Sequence, residues 1–273
     1  MKIPHRKLAN VLCCVVLLAV CDSQAESIIP KNVPELRPGI LAGYLSRKVL
    51  PDSLALLPAP PAPGSSAQAA DEEAFNATVL LRNTPRWVLA ADDAVLSFPK
   101  AADAFACAVD APIGPDTTPH LTILLRRSMV DAGLSTYGAK DHYKRTRPFV
   151  ANKTPSCSPA EEVALAKDGS YPSGHAALGW AWGLILAEMA PERANALIQR
   201  GYEFGQSRVV CGVHWQSDVN QGRVIGAAAV ARLHADPVFR AQFDEAAKEL
   251  ADARAKGLKP TGNCASEATA LKP

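Results

Sequence analysis

The placement of proline constrains the folding of this chain more than any other feature. Pro30, Pro34, Pro38 and the PAPPAPG run at 58–64 crowd the first quarter, where they forbid a continuous helix and favour extended or polyproline backbone. Further on, Pro119, Pro155, Pro159, Pro191 and Pro237, with Gly212, fall between segments of helical hydrophobic period. Asp71-Glu72-Glu73 places acidic residues where the start of a helix favours them, and Phe75, Val79 and Leu80 follow at helical spacing with Leu81 beside them. Similar patterns run over 117–133, 160–167, 175–190, 192–206, 217–234 and 238–255. Period-two alternation of β-branched residues is scarce. The expectation is an all-α, single-domain helical bundle spanning 71–255. A Pro-rich arm at 26–70 precedes it and a polar tail at 256–273 follows. The arm reads either as a disordered leader segment or as a strap packed on the body or on a neighbouring subunit.

The first residues have the pattern of an export signal. Lys2, Arg6 and Lys7 are basic, Val11 to Val20 is a short apolar run, and Ser23-Gln24-Ala25 is a small-x-small cleavage site. Lipoprotein processing at Cys21 is the rival, disfavoured by Val20 before it. Removing residues 1–25 takes three of 29 basic and one of 27 acidic residues, so the mature chain carries 26 of each. A near-zero balance gives no basic face for a nucleic-acid polymer. Cysteine falls from seven to four, Cys107, Cys157, Cys211 and Cys264, which in an exported chain permit two disulfides in any of three pairings. A Cys157–Cys211 bridge would brace the segment between Arg208 and His214. Ala176–Ala190 is apolar almost all round, but it is short for a bilayer and ends at Glu188 and Pro191. It reads as a core helix, with no membrane span after signal removal.

Chemistry concentrates in three motifs: KDHYKRTRP from Lys140 to Pro148, PSGH from Pro172 to His175, and SRVVCGVHWQSD from Ser207 to Asp218. A phosphate monoester carries nearly two negative charges, and its transition state spreads charge over the equatorial oxygens. Positioned cations and backbone N–H groups stabilise that charge. Arg147 and Arg208 offer planar forks and Lys140 a point charge. Ser173 and Gly174 open an apolar helix whose free N–H groups would face an anion. His175 in that first turn could protonate a leaving alkoxide. His214 and Asp218 are four apart, so one helical turn would put them on one face. There the carboxylate would fix the tautomer and free the other ring nitrogen to attack phosphorus. The expected ligand is a small-molecule phosphate monoester, cleaved through a phosphohistidine. With reference pKa values near ~6.5 for both histidines, the pH optimum falls on the acid side of neutral.

Read as a set, K-x6-RP, PSGH and SR-x5-H-x3-D resemble the signature of the type 2 phosphatidic acid phosphatase superfamily, shared with vanadium haloperoxidases. GSYPSGHA at 169–176, LLPAPPAPGS at 56–65, LLRNT at 80–84 and RGYEFGQSRVVCGVHWQSD at 200–218 are similar to the class A bacterial non-specific acid phosphatases. Where that class usually has Thr, this chain has Ala176. The resemblance implies a helical fold of the acid phosphatase/vanadium haloperoxidase type, secretion to the periplasm, no metal cofactor, and often a homo-oligomer. It implies His214 as nucleophile, Asp218 as its orienting partner and His175 as general acid. Lys140, Arg147, Ser173, Gly174 and Arg208 would bind phosphoryl oxygens, and vanadate would bind as a phosphate analogue.

Other phosphatase chemistries lack their signatures: no Cys-x5-Arg, no Arg-His-Gly-x-Arg, and no Asp-x-Asp-x-Thr at Asp92-Asp93. His120, His142 and His234 are not spaced as a zinc set. Three alternatives use the same cage: a vanadate-dependent haloperoxidase, a membrane lipid phosphatase, and a periplasmic anion-binding protein without turnover. The last has no need of either His175 or His214.

Overall fold

The computed structural model describes residues 28–272; the leader, its cleavage site and Cys21 lie outside the described residues. The expected all-α architecture is what the chain forms. Among the described residues, the only strands are a short antiparallel hairpin, β1 (Glu35–Arg37) with β2 (Ile40–Leu41). The longer helices are α1 (Ser66–Val79), α2 (Pro85–Asp93), α3 (Lys100–Val109), α4 (Pro119–Leu134), α5 (Tyr137–Tyr143), α6 (Gly174–Met189), α7 (Ala194–Val210), α8 (Gln216–Leu233), α9 (Pro237–Ala255) and α10 (Cys264–Ala270). Single-turn helices lie at Ser53–Leu56, Pro148–Ala151 and Glu162–Leu165.

A helix apolar around its whole circumference must be covered on all sides, and α6 is that helix. It packs against α4, α7 and α8. Its Trp182 is fully buried, donates its indole N–H to Leu125 O at 3.1 Å, and meets Phe98 and Phe105 edge-on. No helix among the described residues is long and apolar enough to cross a membrane.

The neighbours of α6 approach closely because small residues line the contacts. A Cβ on Gly183 would lie 3.2 Å from Gly201 Cα on α7. On the other side, a Cβ on Gly222 of α8 would lie 2.5 Å from Ser173 O, and one on Gly226 would collide with Ala177 O. The start of α8 is therefore seated on the start of α6. That seating brings the second and third motifs together.

Residues 41–58 of the Pro-rich arm lie on the chain's own body. Tyr44 and Leu45 donate their backbone N–H groups to Asp131 at 2.8 and 3.0 Å, and Arg127 donates to Ala42 O and Gly43 O. Tyr171, just before PSGH, donates its hydroxyl to Pro58 O at 2.6 Å.

Three local expectations differ from the structure. First, α1 starts at Ser66, five residues before Asp71, because Ser65 caps it, its Oγ accepting from Gln68 N at 3.1 Å. Asp71-Glu72-Glu73 therefore stand in the second turn, away from the helix start. Second, α2 and α3 were not foreseen. The Ala-rich α3 buries one face at helical spacing, with Ala101, Ala102, Phe105 and Val109 inside. Third, the polar tail contains α10. Seven residues do not make a stable helix alone. This one is held by the Cys107–Cys264 disulfide and by Glu267, which accepts from Arg200 Nε at 3.1 Å. The second disulfide joins Cys157 to Cys211, as bracing of the third motif would require.

Candidate active site

The third motif spans the end of one helix and the start of the next. Helix α7 stops at Val210, Gly212 turns the chain at φ +77°, and Trp215 caps α8. His214 thus sits just outside α8, with Asp218 as the third residue inside it. The expectation of one shared helical face is corrected here. The pair straddles a helix start, and Asp218 Oδ2 accepts the cap's own N–H, Trp215 N, at 2.8 Å. His214 Nδ1 lies 3.4 Å from the same oxygen. A guanidinium can only donate, and Arg147 Nη1 is 3.0 Å from His214 Nε2. These partners assign the lone pair to Nε2 and the proton to Nδ1, facing Asp218. His214 is buried, and burial drives its pKa well below the ordinary imidazole range, helped by Arg147, Lys140 and Arg208.

The three expected cations are not equivalent. Arg147 has every donor engaged: Nε with Leu165 O and Asp168 O, Nη1 with Val213 O and His214, Nη2 with Asp168 Oδ2 at 3.0 Å and Gly169 O. Lys140 donates to Gly169 O at 2.5 Å and lies 3.5 Å from Asp168 Oδ2; burial, then Arg147, pushes its pKa down to about 8. Arg208 is different. It is 0% exposed, and Nε, Nη1 and Nη2 have no hydrogen-bond partner among the described residues. Its nearest carboxylate is Glu161, 4.0 Å away, and burial pushes its pKa down to about 10. An unpaired buried charge costs several kcal/mol, roughly 3–5 by partner removal, so a guanidinium in this state is a receiver for an anion. A tetrahedral oxyanion fits that requirement.

The PSGH turn supplies the rest. Ser173 caps α6, its Oγ accepting from Ala176 N at 3.2 Å, and its own N–H goes to Asp218 O at 2.9 Å. A Cβ on Gly174 would meet nothing closer than Thr136 Oγ1 at 3.7 Å, so the protein itself does not require glycine there. That open space leaves the backbone at the start of α6 accessible to a ligand. His175 is stacked on Phe204 and its Nε2 lies 3.1 Å from Ala94 O. A carbonyl only accepts, so Nε2 holds a proton and Nδ1 is the nitrogen able to gain and release one. Burial, then Arg208, drives the His175 pKa well below the ordinary value, while the Ala94 carbonyl opposes this.

Side chains not foreseen from sequence hold these groups. Arg145 bridges Asp218 Oδ1 at 2.6 Å, Asp71 Oδ2 at 2.7 Å and Ser217 Oγ at 2.8 Å. Ser170 donates to Asp218 Oδ2. Asp93 is paired with Arg200 and accepts from Ser207 Oγ at 2.6 Å, one residue from the Ala94 carbonyl that orients His175. Trp215 donates to Thr146 O at 2.8 Å under the Arg145 guanidinium. One signal was available. KRTRP places Arg145 and Arg147 two apart with helix-breaking Pro148 next, so they can serve different partners. No three His, Cys, Asp or Glu side chains among the described residues are grouped as a metal site would need.

Residues 121–241 match the model of the PAP2 superfamily. A non-specific acid phosphatase of Providencia stuartii is 42% identical over 90% of this chain and 98% of its own length. A non-specific acid phosphatase of Salmonella typhimurium is 44% identical over 72% of this chain and 79% of its own. A bacterial vanadium-dependent iodoperoxidase superposes with a TM-score of 0.47 at 16% identity, over 77% of this chain and 63% of that one. With a relative that similar along nearly its whole length, the chain belongs to the PAP2 superfamily and, within it, to the class A bacterial non-specific acid phosphatases.

Proposed function

We propose that this protein hydrolyses phosphate monoesters of broad structure through a phosphohistidine on His214. The observation that carries the proposal is Arg208, a fully buried guanidinium with three unpartnered nitrogens, in the same site as the lone pair of His214 Nε2. In the first step, Nε2 forms a bond to phosphorus, the ester P–O bond breaks, and the leaving oxygen takes a proton from His175 Nδ1. In the second, a water oxygen attacks phosphorus, its proton passes to His175, and the N–P bond breaks to release phosphate. Asp218 keeps the His214 proton on Nδ1 and stabilises the ring as it becomes positive. Lys140, Arg147, Arg208, the Ser173 hydroxyl and the N–H of Gly174 receive the phosphoryl oxygens. Vanadate binds the same groups as a phosphate analogue.

The chemistry needs no metal in this reading, since cations and a helix start supply the positive field. Residues 1–25 act as an export signal, and the protein works in the periplasm, where two disulfides persist. A homo-oligomer is the proposed assembly, as the class resemblance implies. The test is p-nitrophenyl phosphate hydrolysis near pH 6 with excess EDTA, wild type beside His214→Ala. Activity that survives EDTA and vanishes in the variant supports the proposal. Loss with EDTA, or a variant that retains activity, refutes it.

A further inference from the structure

Asp168 places a carboxylate against two of the cations proposed to hold the substrate phosphate. Its Oδ2 accepts from Arg147 Nη2 at 3.0 Å and lies 3.5 Å from Lys140 Nζ. These are two of the three cations assigned to the substrate. The third, Arg208, has no such partner. The backbone around Asp168 is fixed independently of its side chain: its N–H goes to Leu165 O at 3.1 Å, its carbonyl accepts from Arg147 Nε at 3.1 Å, and Gly169 O accepts from Lys140. The carboxylate itself is 32% exposed, against 4% for Lys140 and 2% for Arg147. It can therefore rotate towards solvent while the loop stays in place.

We infer that Asp168 is an internal competitor for the phosphoryl group, and that substrate must displace its carboxylate from Arg147 and Lys140. This rests on the proposed phosphatase reading of the site. A carboxylate carries one charge and a phosphate monoester nearly two, so the substrate wins the exchange, and part of its binding energy goes into displacement. A weaker oxyanion gains less, so Asp168 also sets the charge a ligand must bring. The competitor acts on the free enzyme and leaves substrate and transition state equally affected. Its removal is therefore felt in KM.

The experiment compares wild type with Asp168→Asn and Asp168→Ala near pH 6, where Lys140 is charged. KM for p-nitrophenyl phosphate and the competitive inhibition constant for inorganic phosphate are both expected to fall, about tenfold, from the loss of one charge-assisted contact. Calorimetric titration with inorganic phosphate should tighten by the same factor, and it requires no turnover. Two variants separate loss of charge from a new amide contact. A rise in KM with a loss of kcat would make Asp168 a strut that positions Arg147, and would overturn the inference. Unchanged phosphate affinity in both variants would overturn it as well. An inactive wild type that still binds phosphate, with tighter binding in the variants, would refute the phosphatase reading while sustaining the competitor.

Discussion

The state of Arg208 leads to an outcome opposite to that of an ordinary buried residue: its replacement should stabilise the fold while disabling the enzyme. Consider Arg208→Met, which keeps an unbranched chain and removes the charge. The guanidinium is fully buried, its three nitrogens lack partners among the described residues, and Arg147 adds repulsion. Replacing a poorly compensated buried charge by an apolar side chain gains about 2 kcal/mol. In a domain of this size that raises Tm by roughly 4–8 °C. Phosphate reverses the order. At about 1,000 times its Kd it stabilises the wild type by roughly 4 kcal/mol. The variant has lost the receiver and should gain little. Activity should drop about 10²- to 10³-fold, as for removal of one oxyanion donor. Melting curves in phosphate-free buffer and in excess phosphate, with both disulfides intact, read all of this. A variant that melts lower without phosphate would mean that Arg208 is structural, and the reasoning would fail.

Burial disfavours imidazolium at both His175 and His214 in the free enzyme, with Arg208 and Arg147 adding to it at both rings and Lys140 at His214, so both limbs of the kcat/KM profile should lie below the ordinary imidazole value. A bound phosphoryl dianion favours imidazolium on both rings, so the kcat profile should sit at higher pH than the kcat/KM profile while still peaking on the acid side of neutral. A kcat profile displaced to lower pH, or a rate still climbing above pH 8, would count against these roles. Gly222→Ala would set a Cβ 2.5 Å from Ser173 O and push the two helices apart, costing about 1–3 kcal/mol of stability together with kcat/KM, as read by melting and by steady-state kinetics. A loss of stability with unchanged kcat/KM would uncouple the α6–α8 contact from the site.

Much of the fold was legible because its main helices carry local signals: Pro119 and Pro237 open α4 and α9, and the apolar run after Ser173 becomes α6. The parts that escaped depend on distant partners. Helix α10 exists through Cys107 and Arg200, far away in sequence. The structure brings the expected residues close together, and most of them, Arg147, Ser173, Gly174, His175, His214 and Asp218 among them, sit at helix starts where spacing and capping are readable. The arrangement of His214 and Asp218 was misjudged because a four-residue spacing looks the same within a helix and across its start. The unequal status of the cations was invisible in sequence. Arg147 and Arg208 are identical as letters, and only the carbonyls around one and their absence around the other separate them.

The central claim is a covalent bond between phosphorus and His214 Nε2. The most direct measurement is rapid quench of the mature enzyme with phosphorus-labelled substrate, followed by mapping of the labelled peptide. The account predicts a label on the peptide containing His214, stable in alkali and labile in acid as a phosphoramidate is, and absent from His214→Ala. A label on another residue, or full turnover without any labelled enzyme on the timescale of a single cycle, would contradict it.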